Sequence, residues 1–182
     1  NRWRKHQARG QVIFVRYADD IVVGFQYEAD AKRFLADLRQ RMEEFSLSLH
    51  PVKTRLIEFG RFATANRSRR GLGKPETFNF LGFTHICGRS LRGAFLLRRE
   101  TRSDRMRVKL REIKKELRRR WHDSITQQGQ WLAQVVRGYF NYHAVPTNAR
   151  RLGAFRHHVV NLWCRALQRR SQRDRTTWAD LA

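Results

Sequence analysis

Cysteine is scarce in this sequence, since only Cys87 and Cys164 occur in 182 residues. Two cysteines make neither a disulfide framework nor the ligand spacing of a zinc site, and this usage fits a reducing, cytosolic setting. Long hydrophobic runs are also missing: no apolar stretch approaches the roughly 18 residues that a membrane-spanning helix requires. The N-terminus lacks the pattern of a signal peptide. We therefore expect a cytoplasmic protein without a membrane partner.

Acidic residues are few as well. Asp and Glu total 16 against 39 Lys and Arg, which gives a net charge of +23 at neutral pH. This excess predicts a nucleic-acid partner, because cationic side chains that neutralise phosphates release bound counterions; an anionic membrane surface is the weaker alternative. Hydrophobic residues still make up 41% of the chain, enough for one sizeable domain or two small ones with a core.

Residues 11–25, QVIFVRYADDIVVGF, place two apolar, β-branched runs on either side of a short acidic break. The pattern predicts a β-hairpin of two buried strands, with Asp19 and Asp20 at its tip. Asp is a common turn residue, so a solvated turn without chemistry is the alternative. Two adjacent carboxylates at the edge of a core, in a chain that attracts phosphates, favour Mg²⁺, which prefers oxygen ligands.

The rest of the first hundred residues predicts a mixture of helix and strand. Helical spacing of apolar residues predicts one amphipathic helix over 28–45. The other expected segments are a basic loop over 1–10, a strand over 55–59, a flexible basic loop over 60–76, and strands over 77–85 and 92–97.

From Asp104 onward, apolar residues recur at helical spacing and predict a bundle of three helices, over about 104–121, 127–143 and 148–170. The aromatic residues on these helices are expected in the core rather than as platforms for stacking bases. The first helix exposes an almost uniformly positive face, which is disfavoured by like-charge repulsion unless a polyanion lies against it; an ordinary solvated face is the alternative. The cations assigned to RNA binding are Lys109, Arg111, Lys114, Lys115, Arg118 and Arg119.

Four blocks resemble, in the family's order, the reverse transcriptases encoded by bacterial group II introns. The first is FVRYADDIVVGF (14–25), which resembles the Y-x-D-D hairpin with Ala at the variable position, and the second is LSLHPVKTRLIEFGRF (47–62), which resembles the next palm motif. The third is FNFLGFTHIC (78–87), similar to the primer-grip block, and the fourth spans 131–172 and resembles the thumb, or maturase, region. The resemblance implies an α+β fold: a partial polymerase palm, an antiparallel sheet with a packed helix, over 1–100, then an α-helical thumb bundle over 101–182.

The same resemblance implies roles for individual residues. Asp19 would bind both Mg²⁺ ions of a two-metal nucleotidyl transfer, with Asp20 as a secondary ligand or support. Lys53 would approach the triphosphate and protonate the leaving pyrophosphate, although an ordinary exposed lysine is the alternative. Core packing explains the phenylalanines of the primer-grip block at least as well as contact with a primer. The residues expected beside the primer end or the nucleotide are Tyr17, Ala18, Phe80, Leu81, Gly82 and Phe83.

The implied partners are intron RNA, an RNA template, a DNA primer and deoxynucleoside triphosphates. In this family, a further palm aspartate and the whole fingers region lie upstream of the hairpin. Only residues 1–16 precede Tyr17 in this sequence. We therefore expect a fragment of a reverse transcriptase that has no polymerase activity alone. An RNA-binding maturase without polymerase activity is one alternative. A retron or defence-type reverse transcriptase is another, and the maturase-like helical region argues against it.

Overall fold

The computed structural model describes residues 2–170, which fall into two compact units with the boundary between Phe59 and Gly60. Both units combine helices with a small antiparallel sheet, which confirms the predicted mixture of helix and strand. None of the helices in the described part of the chain has the length and apolar character needed to cross a bilayer.

The N-terminal unit contains a β-hairpin and a long helix, both in the predicted places. Its elements are α1 (Arg2–His6), β1 (Val12–Tyr17), β2 (Asp20–Phe25) and α2 (Glu28–Glu43). The prediction of a loop over 1–10 is wrong in part, because α1 lies there. Trp3 anchors this helix: its ring meets Phe25 and Phe34 edge-on, and its indole N–H donates to Asp37 at 2.6 Å.

The prediction that both hairpin strands are buried is wrong. Ile13 is 67% exposed, and Phe14, Val15 and Ile21 are exposed as well. Helix α2 covers only the open end of the hairpin, where Val12 is 8% exposed. Within the described residues this sheet has two strands, and most of the apolar residues that were predicted to be buried lie on its surface.

The predicted strand over 55–59 is also absent from the described structure. A strand exists only when a neighbouring segment pairs with its backbone, and β-propensity reflects that context. Within residues 2–170 the two sheets are formed by β1–β2 and by three strands after residue 77, and 55–59 belongs to neither. The apolar pattern of this segment therefore did not suffice to predict its structure.

The predicted flexible loop over 60–76 contains a short helix, α3 (Ala63–Arg69). Ala63 at its start is buried. Its C-terminus is a Schellman motif: the N–H of Leu72 donates to the carbonyl of Arg67 at 2.9 Å, and that of Gly71 to Ser68 at 3.0 Å. Gly71 has φ +66°, which glycine adopts without steric cost. The loop prediction is therefore wrong for this segment.

The C-terminal unit has a three-stranded antiparallel meander, β3 (Phe78–Phe80), β4 (Phe83–Arg89) and β5 (Phe95–Thr101). The single strand predicted over 77–85 is two strands, because Leu81 and Gly82 form a tight turn in which both have positive φ. The strand predicted over 92–97 begins later, because residues 90–94 form the turn that precedes β5.

Three helices complete this unit: α4 (Ser103–Arg119), α5 (Ile125–His143) and α6 (Ala149–Gln168). Their predicted existence and apolar faces are confirmed. The Tyr139 and Phe155 rings stack in the core with centroids 3.6 Å apart, so the expectation of core aromatics is confirmed here. A Ser124–Gln127 capping box begins α5, which satisfies backbone N–H groups that the helix itself leaves free. The buried core comprises Met106, Ile113, Leu117, Leu132, Tyr139, Phe155 and Val159.

Candidate active-site hairpin and nucleic-acid interface

The tip of the β1–β2 hairpin is a two-residue turn. Tyr17 pairs with Asp20, so Ala18 and Asp19 are the turn residues. Ala18 has φ +50°, an uncommon conformation for a residue with a side chain, and its carbonyl accepts a bond from the Arg16 guanidinium at 2.9 Å. The fold therefore presents Asp19 and Asp20 side by side, both exposed to solvent.

The pairing register of β1 and β2 determines the face of the hairpin on which Asp20 lies. Directly paired residues point to the same face, so Asp20 lies on the face of Tyr17, Val15 and Ile13. Phe25, on the opposite face, packs against Phe34 of α2 with ring centroids 5.3 Å apart. Asp20 and Tyr17 therefore lie on the face turned away from α2, and Tyr17 is 65% exposed there.

The chemistry of the tip fits a hard cation only in part. Two adjacent carboxylates offer oxygen ligands of the kind that Mg²⁺ prefers. Within residues 2–170, however, no cluster of three or more His, Cys, Asp or Glu side chains could hold a metal ion. Asp19 and Asp20 could thus supply part of a ligand set, and the described chain adds no third ligand of these types beside them.

Lys53 lies in a turn after α2 and is exposed. The ring Nδ1 of His50 accepts from the backbone N–H of Val52 and Lys53 at 3.3 and 3.4 Å, and the Thr54 N–H donates to the His50 carbonyl at 2.9 Å. No hydrogen bond or ion pair links the Lys53 side chain to Asp19 or Asp20 within the described structure. The structure thus fixes the turn but does not bring Lys53 into contact with the carboxylates.

Asp30 is a structural residue whose role sequence reasoning missed. It is 1% exposed in the first turn of α2, and its carboxylate accepts from the backbone N–H groups of Arg9 and Gly10 at 2.9 and 3.0 Å. The Arg33 guanidinium bonds it at 2.7 Å. Burial alone would raise the pKa of Asp30, but these donors and the Arg33 charge outweigh it, so the pKa lies below its ordinary value. Asp30 therefore ties the entrance of β1 to α2.

The four residues expected at the primer grip, Phe80 to Phe83, lie together at the β3–β4 turn. Leu81 and Gly82 have φ +48° and +77°, the pattern of a type I′ turn. Phe83 is buried and stacks on Tyr142 with centroids 6.0 Å apart. The Tyr142 hydroxyl donates to the Leu81 carbonyl at 3.1 Å. The structure thus supports core packing for Phe83 and shows that α5 holds this turn.

A buried polar cluster fastens β5 to the turn between α5 and α6. Asn148 is 0% exposed; its Oδ1 accepts from the Thr101 N–H at 2.9 Å, and its Nδ2 donates to the Thr101 hydroxyl and the His143 carbonyl. The Thr147 hydroxyl accepts from the Arg99 N–H at 2.9 Å, although Thr147 itself has φ +79°. The sequence pattern predicts only that one helix ends and the next begins near these residues, since their bonding partners on β5 lie nearly fifty residues away.

The α4 surface is less uniform than predicted. Lys109 pairs with Glu112 at 3.2 Å, and Arg119 pairs with Glu116 at 3.3 Å. The other four predicted RNA-binding cations, Arg111, Lys114, Lys115 and Arg118, are exposed and form no ion pair within the described residues. Two adjoining grooves of about 450 and 350 Å³ separate this paired side of α4 from α5, with Val135 in the lining of both.

Comparison with known proteins finds a similarity in the first part of the chain. Residues 1–85 match the family model of the reverse transcriptase (RNA-dependent DNA polymerase). This range contains the hairpin tip, Lys53 and the β3–β4 turn. No curated protein matches the chain.

Proposed function

We propose that this chain is part of an RNA-directed DNA polymerase and that Asp19 and Asp20 bind Mg²⁺ for nucleotidyl transfer. One observation carries the proposal: the segment that matches the reverse transcriptase family contains a strained two-residue turn with two adjacent, exposed carboxylates at its tip. A two-residue hairpin turn favours a positive φ at its first residue, so the conformation of Ala18 follows from the fold, and the adjacent carboxylates are the feature that favours a metal site.

The residues of the hairpin fit this role in distinct ways. When bound, Mg²⁺ would neutralise charge on the reacting phosphates, which is the main requirement of phosphoryl transfer. Asp19 and Asp20 would contribute carboxylate oxygens from a short turn whose geometry the strand pairing fixes. Tyr17 would offer its exposed ring, with Ala18, beside the primer end. Lys53 would bring a mobile positive charge to the triphosphate.

The β3–β4 turn would serve as the primer grip in this proposal. Gly82 lets its backbone approach a partner closely, since it has no side chain. Leu81 presents its backbone at the same turn, and Phe83 anchors the turn from beneath by packing on Tyr142. Phe80, half-buried, would contact the primer only with its remaining surface. In this proposal, residues 1–100 form part of the polymerase palm and residues 101–182 form the thumb.

A second function, binding of group II intron RNA as a maturase, is favoured by a separate observation. The chain carries a net charge of +23, and α4 exposes cations that no acidic side chain in the described structure neutralises. Structured RNA is recognised largely through its shape and backbone, which suits such a surface. The two functions are compatible within one protein, so the test must measure both.

The decisive experiment is primer extension on an RNA template with Mg²⁺, using the complete protein that contains this chain, beside Asp19→Ala. We expect Asp19→Ala to reduce extension by about a hundredfold or more, as expected for loss of a group that stabilises the transition state, while RNA affinity changes by less than about twofold. Glu43→Ala is the matched control, because Glu43 is another exposed acid of the N-terminal unit. It should leave both readings unchanged.

Two results would contradict the assignment. Normal extension by Asp19→Ala would remove Asp19 from the metal site. Absence of extension by the folded parent protein, together with tight RNA binding, would favour the maturase function alone.

A further inference from the structure

Helix α4 has two charged flanks of different composition. The flank that lines the grooves to α5 alternates in sign, with ion pairs from Lys109 to Glu112 and from Arg119 to Glu116. On the other flank, a row of four cations follows Asp104, which itself pairs with Arg102 at 2.6 Å. Its members are Arg107, Arg111, Lys114 and Arg118, here called the basic row.

The basic row is straight and continuous. Its residues follow one another at steps of four, three and four, which keeps them within a sector of about 60° on an α-helix. The rise of 1.5 Å per residue makes the row about 16 Å long. All four side chains are exposed, and none forms an ion pair within the described residues.

Folding does not explain this arrangement. Like charges three and four residues apart destabilise a helix, and α4 has two glutamates that could have interrupted the row. Both Glu112 and Glu116 instead neutralise cations of the opposite flank. A row of unneutralised cations beside a neutralised flank points to an anionic ligand that lies along one side of the helix.

We propose that the basic row binds the phosphodiester backbone of RNA and that the paired flank does not. This inference rests on the proposed RNA-binding function and narrows the set of residues that carry it. Of the cations predicted from the sequence, Arg111, Lys114 and Arg118 are kept, and Lys109 and Arg119 are excluded. Arg107 is added to the set. Lys115 lines the smaller groove and is therefore also excluded from the basic row. A row of cations without an interspersed aromatic residue reads phosphates rather than bases, so binding is independent of sequence.

The test compares two triple variants that remove equal charge from the same helix. One is Arg107→Gln/Arg111→Gln/Arg118→Gln in the basic row. The other, the matched control, is Arg105→Gln/Lys109→Gln/Arg119→Gln on the paired flank, where Arg105 lines the larger groove beside Lys109. Glutamine has nearly the helix propensity of arginine and lysine, so both variants should keep the helical circular dichroism of the parent.

The measured quantity is the slope of log Kd against log salt concentration for a fully paired RNA duplex, without nucleotides or Mg²⁺. Each lost phosphate contact reduces this slope by about 1, so the basic-row triple should flatten it by about 2 to 3. The paired-flank triple should change it by less than about 1. Replacing the same three arginines of the row by lysine should preserve the slope, since the charge is retained.

Three outcomes would overturn the proposal. Equal flattening by both triples would show that only total charge matters, and no flattening by either would show that α4 does not contact the RNA. The third outcome concerns vesicles of equal parts phosphatidylserine and phosphatidylcholine. If the basic-row triple loses the parent's binding to these vesicles but keeps its RNA binding, the row belongs to a membrane surface. Because the assay involves no synthesis, its result is independent of whether Asp19 supports primer extension.

Discussion

At the scale of single residues, a positive φ marks a position where the surrounding structure holds a residue in an unfavourable backbone conformation. Ala18, Leu81 and Thr147 all adopt positive φ despite having side chains. Such conformations cost on the order of 1–2 kcal/mol each and persist where the surrounding structure enforces them. Two of the three lie at the turns proposed to contact primer and metal, and Thr147 lies at the buried cluster that fastens β5.

A pair of glycine substitutions tests this reasoning with opposite expected signs. Gly82→Ala forces a side chain into φ +77° and should lower the free energy of unfolding by about 1 kcal/mol. Gly153→Ala lies within α6, where no described atom is near a new Cβ, and should raise it by about 0.5–1 kcal/mol. Urea denaturation followed by circular dichroism measures both. Equal effects of the two variants would contradict a conformational origin.

The residues of the hairpin tip could be predicted from the sequence because their signal is local. Asp19 and Asp20 lie in the short break between two apolar runs, 12–15 and 21–23, and the pairing of Tyr17 with Asp20 agrees with the predicted hairpin. Asp30 and Asn148 could not be predicted in the same way. Their carboxylate and amide bond groups about 20 and 47 residues away, and a single sequence contains no signal for such pairings.

At the scale of elements, helices were predicted better than strands. Apolar spacing predicted α2, α4, α5 and α6 to within a few residues, because an amphipathic helix satisfies its own backbone and needs only one covered face. A strand depends on its neighbours. The 55–59 segment joins neither sheet of the described chain, and the Leu81–Gly82 turn interrupts an apolar run that resembled one continuous strand.

Asn148 contributes one buried amide to the connection between β5 and the helices. Replacing Asn148 by alanine leaves the Thr101 N–H buried without its acceptor and removes two donated bonds. A buried group left unsatisfied costs about 1–3 kcal/mol, so Asn148→Ala should lower the free energy of unfolding by at least about 2 kcal/mol. The exposed Asn141 on α5 provides the control, and Asn141→Ala should change the value by less than about 0.5 kcal/mol. Comparable effects in both variants would refute the connecting role of Asn148.

At the scale of the whole molecule, the two compact units differ in the groups that make them sensitive to acid. In the C-terminal unit, burial lowers the pKa of His143, which packs among the rings of Phe83, Tyr139 and Tyr142. Burial and the Arg99 charge also lower the pKa of His85. In the N-terminal unit, the corresponding buried group is Asp30, whose pKa lies below 3.8.

These directions predict two separate pH windows. A histidine with a lowered pKa binds its proton less tightly in the folded state, so its contribution is complete above the ordinary value of 6.5 and declines as the pH falls below it. Asp30 also has a lowered pKa, but it titrates from an ordinary value of 3.8, so its contribution is retained until the pH falls below that value. Acidification from pH 7 to pH 5 should therefore destabilise the C-terminal unit and leave the contribution of Asp30 intact.

Tryptophan residues allow the two units to be followed separately. Trp3 reports on the N-terminal unit, while Trp131 and Trp163 pack against the core of the C-terminal unit. In protein labelled with 5-fluorotryptophan, fluorine NMR during urea unfolding should show the midpoint of the Trp131 and Trp163 signals falling between pH 7 and pH 5, with little change for Trp3. His85→Phe/His143→Phe should flatten that dependence, because phenylalanine cannot bind the proton. If the double variant keeps the full pH dependence, the two histidines are not its source, and if Trp3 follows the other signals, the two units do not respond to acid separately.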